Sequence, residues 1–224
     1  VKDPQLGLHN WIVSFDLNSL YPHLIMQYNI SPETFVGTEP KAVGVENFLD
    51  EKLNLKWAKD RNVTIAPNGA MFKRDKQGFL PELMEKMYTE RVVYKKKAIE
   101  AKIEYQKTKD PIYSNEISRC HNIQMAKKIS LNSAYGAIGN QYFRYFDVKQ
   151  AEAITLGGQL SIRWIERDVN RFMNKLLGTD NKNYVVASDT DSIYLKLDTL
   201  VEKVCKGKST KQIVDFLNKA AEEK

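Results

Sequence analysis

Cysteine is nearly absent from this 224-residue chain: Cys120 and Cys205 are too few for a disulfide framework or a thiolate zinc site. Histidine is as scarce, and His9, His23 and His121 are scattered, which sets a zinc enzyme aside. A reducing, cytosol-like compartment is the default for such a chain. No apolar run approaches the roughly 20 residues that cross a bilayer, and nothing resembles a signal peptide, so no membrane partner is expected. Internal repeats and low-complexity tracts are missing too. The first residue is Val1 rather than Met, which reads as an excerpt boundary, and the helical pattern from Gln212 reaches Lys224 with no stop signal. The chain is therefore expected to be cut inside an element.

What is present is ordinary in bulk and uneven in detail. With 42% hydrophobic and 28% charged residues, the chain can bury one sizeable core and a smaller appended lobe. The net charge of +6 is not spread evenly. Residues 86–128 hold eleven Lys and Arg against five acids, so this window carries the whole basic excess and the remainder is neutral. A solvated helix face is the commoner origin of such a run, and a phosphate-bearing partner is the informative one.

Hydrophobic spacing gives a coarse order of elements. A short apolar strand, Trp11-Ile12-Val13-Ser14-Phe15, ends at Asp16; a helix follows, capped by Asn18 or Ser19, with Pro22 in its first turn and Leu24, Ile25 and Tyr28 on one face. Asp16 therefore sits where a strand gives way to a helix N-terminus. Residues 38–59 resist assignment, with a helix over 47–58 carrying Phe48, Leu49, Leu53 and Trp57 as the working reading. Pro67-Asn68-Gly69 between two apolar runs predicts a hairpin with a structural role only. Residues 81–107 are helical, with Tyr94, Ala98, Ala101 and Tyr105 as the apolar stripe, and Asp110-Pro111 breaks them from a second helix over 111–135. These two make an antiparallel helical hairpin that coincides with the basic window. A third long helix is capped by Asp147, buries Ile154, Gly158, Ile162, Ile165, Val169, Phe172 and Leu176, and stops at Gly178. The fold class is α+β: an antiparallel sheet backed by helices, with the helical hairpin inserted.

Two places carry chemistry. Tyr184-Val185-Val186 reads as a buried strand, and Ile193, Leu195 and Leu197 alternate with Tyr194 and Lys196 in the next. Asp189 and Asp191 lie at the tip between them. A plain hairpin tip favours Asn-Gly or Asp-Gly, whereas two carboxylates so close repel unless a cation sits there, and hard oxygens suit Mg²⁺. On the helical hairpin, Arg91 and Lys95 share one face, and Lys128, Asn132 and Tyr135 share another. Cationic ladders of this kind suit a polyphosphate, and the ring suits stacking or bracing a base pair.

Three stretches, in order, resemble motifs A, B and C of family B DNA polymerases: Asp16-Leu17-Asn18-Ser19-Leu20-Tyr21-Pro22, Lys128-Ile129-Ser130-Leu131-Asn132-Ser133-Ala134-Tyr135-Gly136, and Ser188-Asp189-Thr190-Asp191-Ser192. The flanks Asn29-Ile30-Ser31-Pro32-Glu33-Thr34, Pro67-Asn68-Gly69 and Trp164-Ile165-Glu166-Arg167 are similar to those of the T-even-type phage replicative enzymes. The resemblance implies two Mg²⁺ ions, with Mn²⁺ as a substitute, held chiefly by Asp16 and Asp191, with Asp189 secondary and the Leu17 carbonyl as a backbone ligand. It implies that Ser19, Leu20 and Tyr21 cradle phosphates at the helix start, and that the Tyr21 ring excludes a 2′-hydroxyl. Arg91, Lys95, Lys128 and Asn132 match triphosphate-binding positions, and Tyr135 with Gly136 packs on the nascent base pair. Implied partners are primer–template DNA, dNTP, a sliding clamp and the remainder of the polymerase, with its exonuclease and thumb, in cis or as a separate chain. The implied location is the cytoplasm, that of the host for a phage protein.

The same resemblance divides the chain into a palm (1–80 and 141–224) and fingers (81–140), ending before the thumb. With 15 residues ahead of Asp16, a preceding proofreading exonuclease is not expected. Ala187-Ser188 stand where the family usually has Tyr-Gly, which removes an aromatic near the primer end and adds a side chain beside the metals. His23 replaces a small hydroxyl residue, and the helical hairpin is shorter than the family pattern. A non-catalytic or split fragment that binds nucleotide or DNA and needs a complementing thumb-containing chain is the alternative. A generic basic DNA-binding module with a solvated acidic turn ranks last, because it leaves three ordered motifs unexplained.

Overall fold

A computed structural model describes residues 2–222. In chain order come β1 (Ile12–Asp16), α1 (Leu20–Tyr28), β2 (Phe35–Val43), α2 (Val45–Leu49), α3 (Lys56–Asp60), β3 (Val63–Ile65) and β4 (Asn68–Lys73). The long helices α4 (Phe79–Thr108), α5 (Pro111–Ile138) and α6 (Val148–Leu177) follow, then β5 (Val185–Asp189), β6 (Ser192–Lys196), α7 (Asp198–Val204) and α8 (Thr210–Glu222). The architecture is mixed helix and antiparallel sheet. No helix of the described residues is long and apolar enough to cross a membrane. Packing divides the chain into two units, one made of the residues up to Asn18 with those from Ser161, the other running from Ser19 to Leu160. Helix α6 contributes to both.

The first unit is built on an antiparallel sheet of order β1-β6-β5. Alternation places Ile193, Leu195 and Leu197 in its core with Val185 and Tyr184, where Met173 and Leu177 of α6, Val201 of α7, and Ile213 and Leu217 of α8 join them. The register of β5 against β6 shifts between Val185 and Ala187, leaving Val186 as an extra residue. The outer edge of β5 is covered by the chain's opening residues: Lys2 bridges to Ser188, and the Gln5 N–H donates to the Val186 carbonyl at 2.8 Å. Lys2 is tied by its ammonium to Glu166 and to the Val185 carbonyl. An open strand edge with its hydrogen-bonding groups bare would be a liability, and this segment closes it.

The second unit has its own antiparallel sheet, β2-β4-β3, and its own core. Phe72, Ala70 and Ala66 meet Ile25 and Ile30 from α1, Met84 from α4, Leu131 and Ile138 from α5, and Ile154 from α6. The Pro67-Asn68-Gly69 hairpin forms as expected. Gly69 sits at φ +81, and a Cβ there would come within 2.5 Å of the Glu39 carbonyl oxygen, so only glycine fits. Asn68 anchors the turn by donating to the Lys149 carbonyl at 2.8 Å. Helices α4 and α5 form the expected antiparallel hairpin: Asp110 caps α5 by accepting from the Ile112 N–H at 2.9 Å, with Pro111 at the first helical position. Lys127 pairs with Glu90 across it.

Three readings of the sequence need correction. The helix expected over 47–58 is two single-turn helices. Glu51, at φ +54, ends α2, and the Asn54 side chain, accepting from the Lys56 N–H, starts α3. Apolar residues at helical spacing hid this interruption. The stretch left unassigned holds β2, whose Pro40 is tolerated because β2 is an edge strand. On α6, Phe172 and Leu176 are exposed, at 44% and 50%, while Met173 and Leu177 are buried at 4% each. The inner face advances in steps of four from Val169, which rotates it past the expected stripe.

Candidate functional site

In the first unit, the sheet register gathers the acids. Asp16 at the end of β1 pairs with Ser192 on β6, and Asp189 at the end of β5 pairs with the same Ser192 from the other side. Cross-strand partners share a face, so Asp16, Ser192 and Asp189 form one row over roughly 10 Å, two strand spacings. The extra residue in β5 makes Thr190-Asp191 a two-residue tip, and the Leu17 N–H donates to the Asp191 carbonyl at 2.7 Å. Thus the backbones of Asp16-Leu17 and Asp191-Ser192 are directly bonded neighbours. Asp16 and Asp189 are exposed and Asp191 is half-buried. Asp189 accepts from the Thr190 N–H and hydroxyl, which steadies the tip.

None of these three carboxylates makes an ion pair among the described residues. Nor do the described residues contain a group of three or more acids, histidines or cysteines close enough to hold a metal ion by themselves. The donor set nevertheless fits Mg²⁺, which takes one or two protein carboxylates and completes its shell with water and substrate phosphates. Unpaired, accessible carboxylates on adjacent strands are what such binding requires.

In the second unit, α1 and the helical hairpin bring other expected residues together. Ser19 precedes α1 in the left-handed region, at φ 54 and ψ 48, and its side chain makes no capping bond. Its hydroxyl instead accepts from the Arg91 guanidinium at 3.2 Å, and its carbonyl accepts from the His23 Nδ1–H at 2.9 Å. The expectation of a cap at 18 or 19 was right in position and wrong in device. The Arg91 Nε–H is enclosed and has no acceptor, a cost that an anion at this point would remove. The Tyr21 ring meets that of Tyr135 at 4.8 Å between centroids, tilted by 54°. A Cβ on Gly158 would lie 3.2 Å from Tyr21, so α6 presses close to this pair.

The remaining residues of the basic face are less engaged. Lys95, Lys128 and Asn132 are exposed. The Glu90–Lys127 pair joins α4 to α5 beside these residues, and Lys127's donated proton holds the Glu90 carboxyl below the usual range. A Cβ at Gly136 would meet nothing within 4 Å, so the glycine leaves open surface rather than a close protein contact.

The contacts of two groups escaped sequence reasoning. His23 packs its ring edge-on to Tyr88 at 4.6 Å while holding Ser19. The run Tyr142-Phe143-Arg144-Tyr145-Phe146 forms a surface cluster in which Arg144 lies over Tyr145 at 5.7 Å and Tyr142 is 88% exposed. Its aromatic-and-Arg composition was the available signal, and it suits stacking on unpaired bases.

Comparison with known proteins identifies the family. A model of DNA polymerase family B matches residues 1–221. A DNA-directed DNA polymerase of Escherichia phage RB69 is 32% identical over 268 residues, covering 100% of this chain and 29% of that protein. That of Enterobacteria phage T4 is 30% identical with the same coverages, and DNA polymerase 1 of Pyrococcus abyssi is 31% identical over 97% of this chain and 23% of its own length. Among solved structures, the family B DNA polymerase of Pyrobaculum calidifontis superposes with a TM-score of 0.56 at 28% identity, covering 92% of this chain and 23% of that one. The chain thus spans about 29% of the length of the phage relatives.

Proposed function

The chain belongs to DNA polymerase family B, and from that premise we propose that it carries the palm (1–80 and 141–224) and fingers (81–140) of a template-directed DNA polymerase. The reaction is attack of a primer 3′-hydroxyl on the α-phosphate of a dNTP, releasing pyrophosphate. The observation that carries this reading is the row Asp16–Ser192–Asp189 with the Leu17–Asp191 hydrogen bond, because it brings the acids of two separate motifs onto neighbouring backbone.

Asp16 and Asp191, with Asp189 and the Leu17 carbonyl, would hold two Mg²⁺ or Mn²⁺ ions. When bound, these ions lower the pKa of the attacking hydroxyl and neutralise charge on the triphosphate. The protein's own groups bind and orient. Arg91, already on the Ser19 hydroxyl with an unused Nε–H, offers donors for a phosphate, and Lys95, Lys128 and Asn132 add charge and an amide along the same hairpin. The first N–H groups of α1, at Leu20 and Tyr21, also favour an anion. Tyr21, buttressed by Tyr135 and by the close approach of Gly158, forms a wall against which a 2′-hydroxyl collides. The open surface at Gly136 leaves room for a base pair beside Tyr135, and the Tyr142–Phe146 cluster suits the unpaired template. DNA, dNTP and the remainder of a polymerase are the partners in this reading.

Primer extension by the chain, alone and with a complementing thumb-containing fragment, tests the proposal. Mg²⁺-dependent, template-matched extension in either mixture supports it. Failure in both, together with Mn²⁺ binding by electron paramagnetic resonance that Asp16→Ala and Asp191→Ala leave unchanged, rejects it. A second reading, a nucleotide- or DNA-binding fragment that does not turn over, is favoured by Ser188, which is 7% exposed beside the acids where the family's motif has glycine. It requires metal-dependent nucleotide binding without extension in the complemented mixture.

A further inference from the structure

Neither the acids nor the basic hairpin uses a cavity of about 470 Å³ in the second unit, between β2, the 50–55 loop and α3. That volume suits a small organic ligand or one nucleotide unit. Its wall is the half-buried indole of Trp57, with Leu53 and Leu55 beside it. The Arg61 guanidinium lies over that indole at 5.2 Å from the ring centre. Lys41 and Lys52 also line it, and Glu39 is its acid. Lys52 is paired with Asp50 at 2.9 Å, but its side chain is 65% exposed, so the pair is weak and exchangeable. Lys41 has no ion-pair partner among the described residues. One Glu39 oxygen accepts from the Lys41 N–H at 3.2 Å, and the other has no partner among the described residues.

Each of these groups narrows the ligand. An inorganic phosphate would use the lysines and leave the indole idle. A purely apolar ligand would bury three cations without an anion, which is costly. A planar ring with a phosphate attached satisfies all of them. We propose that this cavity is a second nucleotide-binding site, separate from the residues assigned to polymerisation: the base stacks on the Trp57–Arg61 pair, the phosphate lies on Lys41 and Lys52, and a base N–H donates to Glu39. The nucleotide comes either free or as one unit of an unpaired strand, which offers the same base and phosphate.

The test uses the whole chain with Arg91→Ala and Lys128→Ala, in EDTA, so that the polymerisation residues do not contribute. Trp11→Phe and Trp164→Phe leave Trp57 as the sole indole of the three. Its emission is then titrated with deoxyadenosine monophosphate and with a short oligodeoxyadenylate. Saturable quenching that Lys41→Ala plus Lys52→Ala weakens about tenfold or more supports the site. Quenching by the mononucleotide assigns free nucleotide as the ligand, and quenching by the oligomer alone assigns a strand. No quenching up to millimolar ligand, or quenching indifferent to the two lysines, overturns it. Should the Phe variants fail to fold, equilibrium dialysis of radiolabelled nucleotide against the Arg91→Ala, Lys128→Ala chain decides the same question. Retained nucleotide must then fall at least as far with Trp57→Ala as with the lysine pair, and equal retention overturns the site.

Discussion

The acidic row and the basic hairpin face are positioned by different devices. Asp16, Asp189 and Asp191 have short side chains on or beside strands, so their placing depends on the ladder: Ser192 is paired on both sides, and the Leu17–Asp191 bond ties the tip to β1. Arg91, Lys95 and Lys128, on long side chains, and Asn132 are placed by helical periodicity, and all but Arg91 are exposed. In the proposed reading, the residues that would hold small ions at fixed distances stand on the stiff element. Those that would follow a flexible triphosphate stand on the adaptable one.

That contrast can be broken by mutation. Asp16→Ala or Asp191→Ala should lower extension by the complemented enzyme about a thousandfold or more, with little change in nucleotide affinity; a mutant within tenfold of the parent would end the metal assignment. Arg91→Ala or Lys128→Ala should instead raise the apparent dNTP KM about ten- to a hundredfold, and an unchanged KM returns these residues to solvent. For Tyr21→Ala the expected result is ribonucleotide incorporation at rates nearer those of dNTP, read from single-nucleotide insertion with matched NTP and dNTP. Stability separates the regions again. Ile193→Ala, beneath the acidic tip at 3% exposure, should cost about 2–5 kcal/mol in urea unfolding. Ile112→Ala, 65% exposed near the hairpin's bend, should stay within about 0.5 kcal/mol, and equal losses would contradict the burial difference.

The smallest expected effect lies on α5. Arg119 and then the Cys120 thiol donate to Glu116 and hold its carboxyl at about 2, below its ordinary 4.5, while burial and Glu116 push the thiol up. A depressed carboxyl contributes stability that is complete above about 4.5 and fades as pH falls towards about 2. Glu116→Gln should therefore flatten the acid-side fall of the urea midpoint across that window and leave the neutral value nearly unchanged.

Much of this was legible in the residues. The three motifs announce themselves by side-chain chemistry, and the Pro67-Asn68-Gly69 turn, the Asp110-Pro111 break and the Asp147 cap stand where expected. The illegible parts depend on tertiary context. Nothing local says that Ser19 gives up capping to accept from Arg91, because that bond joins residues 72 positions apart. The break between α2 and α3 was masked by apolar spacing that suits one continuous helix. The cavity at Trp57 escaped for a related reason: its walls come from a strand that went unread and a loop read as helix.

The surplus Val186 in β5 makes the late hairpin a matter of odd and even counting. From Val185 opposite Leu195, an uninterrupted ladder would set Asp189 against Asp191 and leave Thr190 alone to reverse the chain, which is too little backbone for the bend. The surplus residue moves the pairing by one, so Asp189 meets Ser192 and Thr190-Asp191 make the reversal. Removing Val186 would leave an uninterrupted ladder with Asp189 still opposite Ser192, whereas removing Thr190 or Asp191 would leave a single residue to make the reversal. The count that is fixed is that of the tip, two residues between Asp189 and Ser192.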